Sequence, residues 1–216
     1  MKRVCLIFLL LMSAGGPFAA EQAKPDFLVF NGLCDASAAV ALDDKHFVVA
    51  SDEDSKLRVY RLDSPRLPVQ VFDMHAFLEL DQEHPETDIE AAASLGGIVY
   101  WITSHGRNVE GKVRPSRERL FATRIVPSAA GYEIIPIGNA CKNLLTSMKN
   151  DSRLDRLGLS MAATKAPKDA GGLNIEGLAA TPDGKLLIGF RNPVPGKLAL
   201  VVPLLNPTEV IAGGKP

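Results

Sequence analysis

The sequence predicts an all-β fold of propeller-type repeats, about three four-stranded blades in an incomplete ring, with a short helical insertion. Three observations predict it: short apolar runs alternate with turn signals, one pattern occurs three times, and one interval between the repeats is longer than the other. An open β-sandwich also uses many short strands. It does not explain the three matching units, so the propeller is the favoured architecture.

The predicted strands are short runs rich in apolar and β-branched residues. Turn signals separate them, such as Asp43-Asp44, Gly96-Gly97 and Pro182-Asp183-Gly184. The runs are Phe27–Phe30, Phe47–Ala50, Leu57–Leu62, Val69–Phe72, Ile98–Thr103, Leu120–Val126, Tyr132–Ile137, Leu186–Phe190, Leu198–Leu204 and Glu209–Ala212.

The three repeats are Ser37–Ser51, Glu90–Ser104 and Glu176–Phe190. The first and last residues of each are 14 positions apart. Each repeat contains a strand of small residues, a tight turn and a β-branched strand, and two further strands follow it. This is the order of strands in a propeller blade, whose innermost strand needs small residues because the blades crowd around the axis.

The interval between the second and third repeats holds a predicted helical insertion. The repeat starts are 53 residues apart in the first interval and 86 in the second. The added segment has helix-like apolar spacing at Ala140–Leu145, Met148 and Leu154–Leu157, with Asn139 as the expected cap. We expect these helices to decorate the rim.

The N-terminus has the order of a secretory signal peptide: two basic residues, nine consecutive apolar residues and then small residues. Nine residues are too few to cross a bilayer, which takes about 20. We therefore expect residues 1–20 to be removed and the propeller-like domain, residues 21–216, to be periplasmic or secreted. No later stretch is apolar and long enough to predict a membrane span.

Charge and cysteine content limit the partners. The chain has 24 basic and 25 acidic residues, so it has no net positive electrostatic field that would attract nucleic acid. Two cysteines, Cys34 and Cys141, remain after signal removal. Both lie upstream of predicted inner strands, and export exposes them to oxidising conditions, so the sequence predicts a disulfide between them.

Candidate site residues follow from strand direction. In an antiparallel blade, the innermost strand begins at the end where the second strand finishes, so polar residues at both places should converge on one face. They are Asp35, Glu90 and Glu176 at the strand starts, and Asp52, Glu53, Asp54, His105, Arg107, Asn108, Arg191 and Asn192 in the loops.

Two interpretations of this face stay open. Carboxylates of Asp35, Glu90 and Glu176 are oxygen ligands suited to Ca²⁺, while Arg107 and Arg191 are suited to a phosphate or carboxylate. Alternatively, the glutamates pair with arginines of neighbouring blades and only fasten the blades together.

Other residues point less specifically to chemistry. We interpret His105 as a loop residue that forms hydrogen bonds rather than as a metal ligand, because no second histidine lies at the spacing of a metal site. Gly-x-Ser-x-Gly is absent from the sequence, and no serine nucleophile is assigned. The basic segment Arg107–Arg119 is predicted to be an extended loop, either a solvated surface loop or a lid that attracts an anion.

Three groups of motifs resemble an exported bacterial family, domain of unknown function 3616. They are Gly32–Ala39; Asp88–Ala93 with Ser104–Asn108; and Gly172–Ala179 with Phe190–Pro193. The segment around Asn174–Leu178 is also distantly similar to the family named for esterase-like activity of phytase. The first resemblance implies a propeller-like exported protein without an assigned reaction. The second implies phosphoester or ester hydrolysis, with no catalytic residue carried over.

The functional expectation is therefore an exported propeller that binds an anionic small molecule or phosphoester at this face, with Ca²⁺ as the candidate cation. The rival expectation is a non-catalytic interaction scaffold whose face is closed by ion pairs. The three visible repeats predict the N-terminal portion of a longer propeller, because propellers typically close with 4 to 8 blades. Open blade edges would favour self-association.

Overall fold

The computed structural model describes residues 27–64 and 66–216. The predicted signal peptide lies outside the described residues. The strands are β1 Ala36–Ala41, β2 His46–Ser51, β3 Lys56–Arg61, β4 Gln70–Asp73, β5 Ile89–Leu95, β6 Ile98–Thr103, β7 Leu120–Ser128, β8 Gly131–Cys141, β9 Asn174–Ala180, β10 Leu186–Asn192 and β11 Leu200–Leu204. The helices are α1 Leu144–Asn150, α2 Leu159–Ala162 and α3 Pro207–Ile211.

The strands form three antiparallel sheets in chain order. Sheet 1 is β1-β2-β3-β4, sheet 2 is β5-β6-β7-β8, and sheet 3 is β9-β10-β11. Each predicted repeat forms the first hairpin of one sheet. The first strands contact one another, β1 with β5 and β5 with β9. The predicted β architecture is confirmed.

Alternating side chains bury sheet 2 on both faces. Trp101 packs into the core shared with sheet 1. Within sheet 2 it stacks on Phe121 of β7 and donates a hydrogen bond from its indole nitrogen to Thr123 Oγ1, also on β7, at 2.9 Å. Tyr100 and Ile102, its neighbours on β6, face sheet 3. Because successive strand residues point to opposite faces, one apolar run supplies both interfaces.

The helical insertion lies where the sequence predicted it, but its first helix begins later than predicted. β8 continues to Cys141, so the residue before α1 is Asn143 rather than Asn139. The buried side chains of Leu144, Leu145 and Met148 then pack into the interface of sheets 2 and 3.

Two predicted strands are absent. Phe27–Phe30 is not in a strand; Phe30 instead packs edge-on against Phe47 at 5.0 Å. Glu209–Ala212 lies mainly in α3, because Pro207 at its first turn presets helical φ and Val210 and Ile211 turn into the core.

The predicted disulfide is also absent, since Cys34 and Cys141 are both free in the structure. Cys34 precedes the first strand of sheet 1, whereas Cys141 ends the outermost strand of sheet 2. Cys34 is exposed and Cys141 is buried, with its thiol donating to Asn143 Oδ1 at 3.1 Å. Among the described helices, none has the length and apolarity needed to cross a membrane.

Candidate functional site

A polar cavity of about 370 Å³ opens at the end of the sheets where β1, β5 and β9 begin. It is lined by Asp52, Glu53, Glu86, Asp88, Glu90, Val109, Arg117, Pro167, Lys168, Asn174, Glu176 and Arg191. Six of these residues are acidic and three are basic, so the cavity, which we call the acidic pocket, carries excess negative charge.

A β-bulge lies near the start of the first strand in every sheet. The bulged residues are Ser37 in β1, Glu90 in β5 and Glu176 in β9, which the partner strands skip in their pairing. These are the three residues that open the sequence repeats. Bulges often redirect a side chain beside a functional site, and here two of the three present a carboxylate to the pocket.

Glu90 carries the most perturbed carboxyl group of the acidic pocket. Burial, followed by the nearby charges of Asp88, Glu176 and Asp52, raises its pKa to about 8. Among the described residues it has no salt-bridge or hydrogen-bond partner. At neutral pH this side chain is therefore mostly protonated.

Asp52 faces Glu90 from the loop after β2. Burial raises its pKa, and Asp35 is the largest charge that contributes to the shift. Its Oδ1 atom is buried and has no hydrogen-bond partner among the described residues. Asp35 itself is exposed and does not line the acidic pocket.

Asp88 and Arg117 form the buried ion pair of the pocket. Asp88 Oδ2 lies 2.9 Å from an Arg117 guanidinium nitrogen, and their side chains are 11% and 13% exposed. Arg117 also contacts Glu86. Burial nevertheless raises the pKa of Asp88, despite the hydrogen bond from Ser104 and the charge of Arg117.

Glu176 and Arg191 form a more exposed ion pair that also lines the acidic pocket. Their charged atoms are 2.8 Å apart, and their side chains are 36% and 50% exposed. Asn174 Nδ2 also donates to Glu176 Oε1 at 2.9 Å. The pairing raises the pKa of Arg191, through the hydrogen bond first and the charge of Glu176 second.

Two candidate residues, His105 and Arg107, line a separate cavity of about 190 Å³. His105 is 3% exposed, and its Nδ1 lies 2.8 Å from the carbonyl oxygen of Thr103. Burial lowers its pKa to about 4, so the ring is neutral. Arg107 donates to the carbonyls of Ala163 and Gly111 at 2.8 and 2.9 Å, and it therefore does not join Arg191.

Two other predicted residues, Asn108 and Asn192, stabilise loops. Asn108 Oδ1 accepts hydrogen bonds from the backbone of Glu110 and Lys112, and Asn192 Nδ2 donates to Pro167 O at 3.0 Å. In the predicted lid, Arg119 is buried and donates to the Leu78 carbonyl at 3.0 Å. This arginine cannot serve as part of a mobile lid.

The sequence prediction overlooked Asp88 and Arg117 as a pair. Arg117 lies just before β7, which begins at the same end of sheet 2 where β6 finishes. The antiparallel rule applied to the start of the third strand would have placed it at this face.

The acidic pocket has no metal centre formed by the described residues. Among residues 27–64 and 66–216, no three His, Cys, Asp or Glu side chains lie close enough to form a metal centre. Glu90 and Glu176 line the acidic pocket but Asp35 does not, so the structure does not bring the three predicted Ca²⁺ ligands together there.

Comparison with known proteins identifies the family. The profile of a family described as "Protein of unknown function (DUF3616)" matches residues 35–124 and 129–210, so the chain belongs to this family. No curated protein matches the sequence.

Two solved structures are similar to parts of the chain, and both contain the extracellular domain of BT4673 from B. thetaiotaomicron. One is described as a one component system, with TM-score 0.30, 11% identity and 73% coverage of this chain. The other is described as a hybrid two component system, with TM-score 0.32, 11% identity and 78% coverage. The chain matches 14% and 16% of their lengths.

Proposed function

We propose that this member of the DUF3616 family is an exported propeller-type binding module, and that its acidic pocket binds the positive centre of a small polar ligand. The observation that carries the proposal is the carboxyl group of Glu90. It lies on a β-bulge, and no basic side chain among the described residues forms a salt bridge with it. Three sheets with adjacent first strands support the propeller interpretation.

The charge balance favours a cation over a bare anion. Both pocket arginines already contact carboxylates, which leaves Lys168 as the only pocket cation without a salt bridge in the described part of the chain. An incoming phosphate would meet the excess carboxylates, and like charges at close range repel. A positive centre would instead favour the ionised form of Glu90 and release its proton.

A phosphoester, the ligand class expected from the sequence, can enter this pocket only with its charge compensated. A divalent cation bound to the phosphate oxygens would face Glu90 and Asp52, while the phosphate would lie toward Lys168 and Arg191. Since the described residues form no metal centre of their own, we expect the cation to arrive with the ligand.

Calorimetry tests the proposal with four probes: spermidine, calcium chloride, phenyl phosphate, and calcium chloride with phenyl phosphate. We expect phenyl phosphate alone to give no binding heat, and at least one cation-containing probe to bind more tightly at pH 8.5 than at pH 6. Glu90→Gln should weaken that binding about tenfold, the effect of losing one charge-assisted contact.

The matched control is Glu133→Gln, which removes an exposed carboxylate from β8, outside the pocket. It should leave the affinity unchanged. Binding of phenyl phosphate alone, or equal effects of the two variants, would contradict the proposal.

The second candidate function is a non-catalytic interaction scaffold. The ion pairs Asp88–Arg117 and Glu176–Arg191 favour it, because they already engage both arginines of the face. This function predicts no binding heat with any of the four probes, and it predicts that Glu90→Gln changes only stability.

A further inference from the structure

The cavity of about 190 Å³ that His105 and Arg107 line has the opposite charge to the acidic pocket. Its basic lining residues are Arg107, Arg114 and Lys149, and its one acidic lining residue in the described part of the chain is Glu118. The cavity, which we call the basic cavity, lies where the loop after β6 meets α1 and the end of α2. A positive excess of this kind favours an anionic ligand.

The three cations of the basic cavity are not neutralised by neighbouring carboxylates. Within residues 27–64 and 66–216, none of the three forms a salt bridge. All three side chains are half-buried, so water and salt screen their mutual repulsion less than at an open surface. An anion bound among them would offset this repulsion.

The guanidinium of Arg107 is held in place by the backbone. Its Nε donates to the Ala163 carbonyl at 2.8 Å, and its Nη1 donates to the Gly111 carbonyl at 2.9 Å. These two bonds fix the plane of the group, while Nη2 has no acceptor among the described residues. Because a carboxylate accepts charge-assisted hydrogen bonds from a guanidinium, this fixed group is suited to bind one.

His105 adds a hydrogen-bond acceptor to the residues that line the basic cavity. Its Nδ1 lies 2.8 Å from the carbonyl oxygen of Thr103, which can only accept, so Nδ1 carries the proton. The ring is neutral, and Nε2 therefore keeps its lone pair. Nε2 is buried and has no partner among the described residues. An unsatisfied buried acceptor is unfavourable, and a hydroxyl group of a ligand would satisfy it.

The apolar lining and the volume limit the rest of the ligand. Val113, Leu145 and Ala163 supply aliphatic surface. Drug-sized ligands occupy cavities of about 300–1,000 Å³, so a cavity of about 190 Å³ suits a molecule of few heavy atoms. Aliphatic side chains around so small a space fit a short carbon chain better than an aromatic ring, and we do not expect phenyl phosphate to bind here.

We propose that the basic cavity is a second binding site, separate from the acidic pocket, and that its ligand is a short-chain hydroxycarboxylate. The carboxylate of the ligand binds Arg107, and Arg114 and Lys149 supply further positive charge. The hydroxyl group of the ligand donates to Nε2 of His105, and its carbon chain lies against the aliphatic side chains.

Calorimetry with three matched probes tests the proposal: racemic lactate, propionate, which lacks the hydroxyl group, and lactamide, which lacks the charge. We expect lactate to bind most tightly, propionate to bind about tenfold more weakly, and lactamide to give no binding heat. No heat with lactate would overturn the proposal. So would lactate and propionate of equal affinity, or lactamide that binds as tightly as lactate.

Variants locate the binding in the basic cavity. Lys149→Met should weaken lactate binding about tenfold. The matched control is Lys142→Met, because Lys142 lies just before α1, pairs with Glu79 and is outside the cavity. It should leave the affinity unchanged, and equal losses in the two variants, with circular dichroism unchanged in both, would overturn the proposal.

A third variant, His105→Asn, tests the hydroxyl contact. Asparagine tolerates the positive φ of 53° at this position and lacks Nε2, so the variant should bind lactate no more tightly than propionate. A preference for lactate that survives in this variant would overturn the assignment of His105. Lactate carries no cationic group and spermidine carries no carboxylate, so each site is measured with its own probe. Failure of this proposal and failure of the proposed function are therefore distinguishable.

Discussion

Carboxyl groups at the two ends of the same hairpins have pKa values shifted in opposite directions. At the turn ends, hydrogen bonds lower the pKa values: Asp43 accepts from Tyr132, Lys45 and His46, and Asp183 from Lys185 and Thr181. At the pocket end, burial raises the pKa values of Asp52, Asp88 and Glu90. The difference lies first in burial, because Asp43 and Asp183 are exposed, whereas Asp52 and Glu90 are partly buried and Asp88 is buried.

This contrast separates structural carboxylates from candidate functional ones. A carboxylate with a lowered pKa stabilises the fold above its unfolded pKa, and this stabilisation is lost as the pH falls through the folded value. A carboxyl group with a raised pKa does the reverse, because the unfolded chain ionises first and stability falls as the pH rises. Ionisation of the carboxyl groups at the pocket end therefore lowers folding stability, and a positively charged ligand would offset this loss.

The largest expected effect comes from Arg117→Met, which would leave Asp88 buried and unpaired. Removing one partner of a buried ion pair costs about 3–5 kcal/mol, or about 6–20 °C in Tm for a chain of this size. The loss should be smaller at pH 4, where Asp88 can take up a proton. Thermal unfolding by circular dichroism at the two pH values measures it.

Arg191→Met is the matched control, since its pair with Glu176 is largely exposed. Exposed pairs contribute about 0–1 kcal/mol, so Tm should change little. Equal losses of Tm in the two variants would mean that the buried and the exposed ion pair contribute equally to stability, which would contradict the prediction.

Local pattern was enough to predict most of the fold. The first and last residues of each repeat are 14 positions apart, and this constant separation identified the first hairpin of every sheet, because hairpin pairing depends on strand length and turn position. The end strands were harder. Glu209–Ala212 is apolar enough for a strand, but Pro207 and the packing of Ile211 make it helical.

The candidate site could be predicted only in part. Glu90, Glu176 and Arg191 line the acidic pocket because strand direction fixes where their backbone lies. The guanidinium of Arg107 turns away because the Ala163 carbonyl, supplied by the helical insertion, accepts its hydrogen bond. Contacts of this kind depend on how distant segments pack, which repeat spacing does not determine.

The next effect in size is the pH dependence caused by Glu90. Its pKa rises from 4.5 to about 8, so folding stability should decline as the pH rises through this window. Glu90→Gln should therefore raise Tm by a few degrees at pH 8.5 and leave it nearly unchanged at pH 4. A Tm difference that does not vary with pH would show that the carboxyl group titrates normally, and the contrast between the two ends would lose its main support.

The smallest expected effect is at the turn end, in Asp43→Asn. The variant keeps the shape of the side chain but weakens its hydrogen bonds with Tyr132 and with the backbone of Lys45 and His46. Because the pKa of Asp43 is lowered from 3.8, its stabilisation is present at neutral pH and is lost in acid. We expect a slightly lower Tm at pH 7 and a smaller difference at pH 3, opposite in sign to Glu90→Gln. Tyr132→Phe should reproduce part of the loss, since Tyr132 connects the turn of sheet 1 to β8 of sheet 2. If Asp43→Asn raised Tm at pH 7 instead, carboxylates would be unfavourable at both ends of the sheets, and the raised pKa values of the pocket would no longer distinguish it as a binding site.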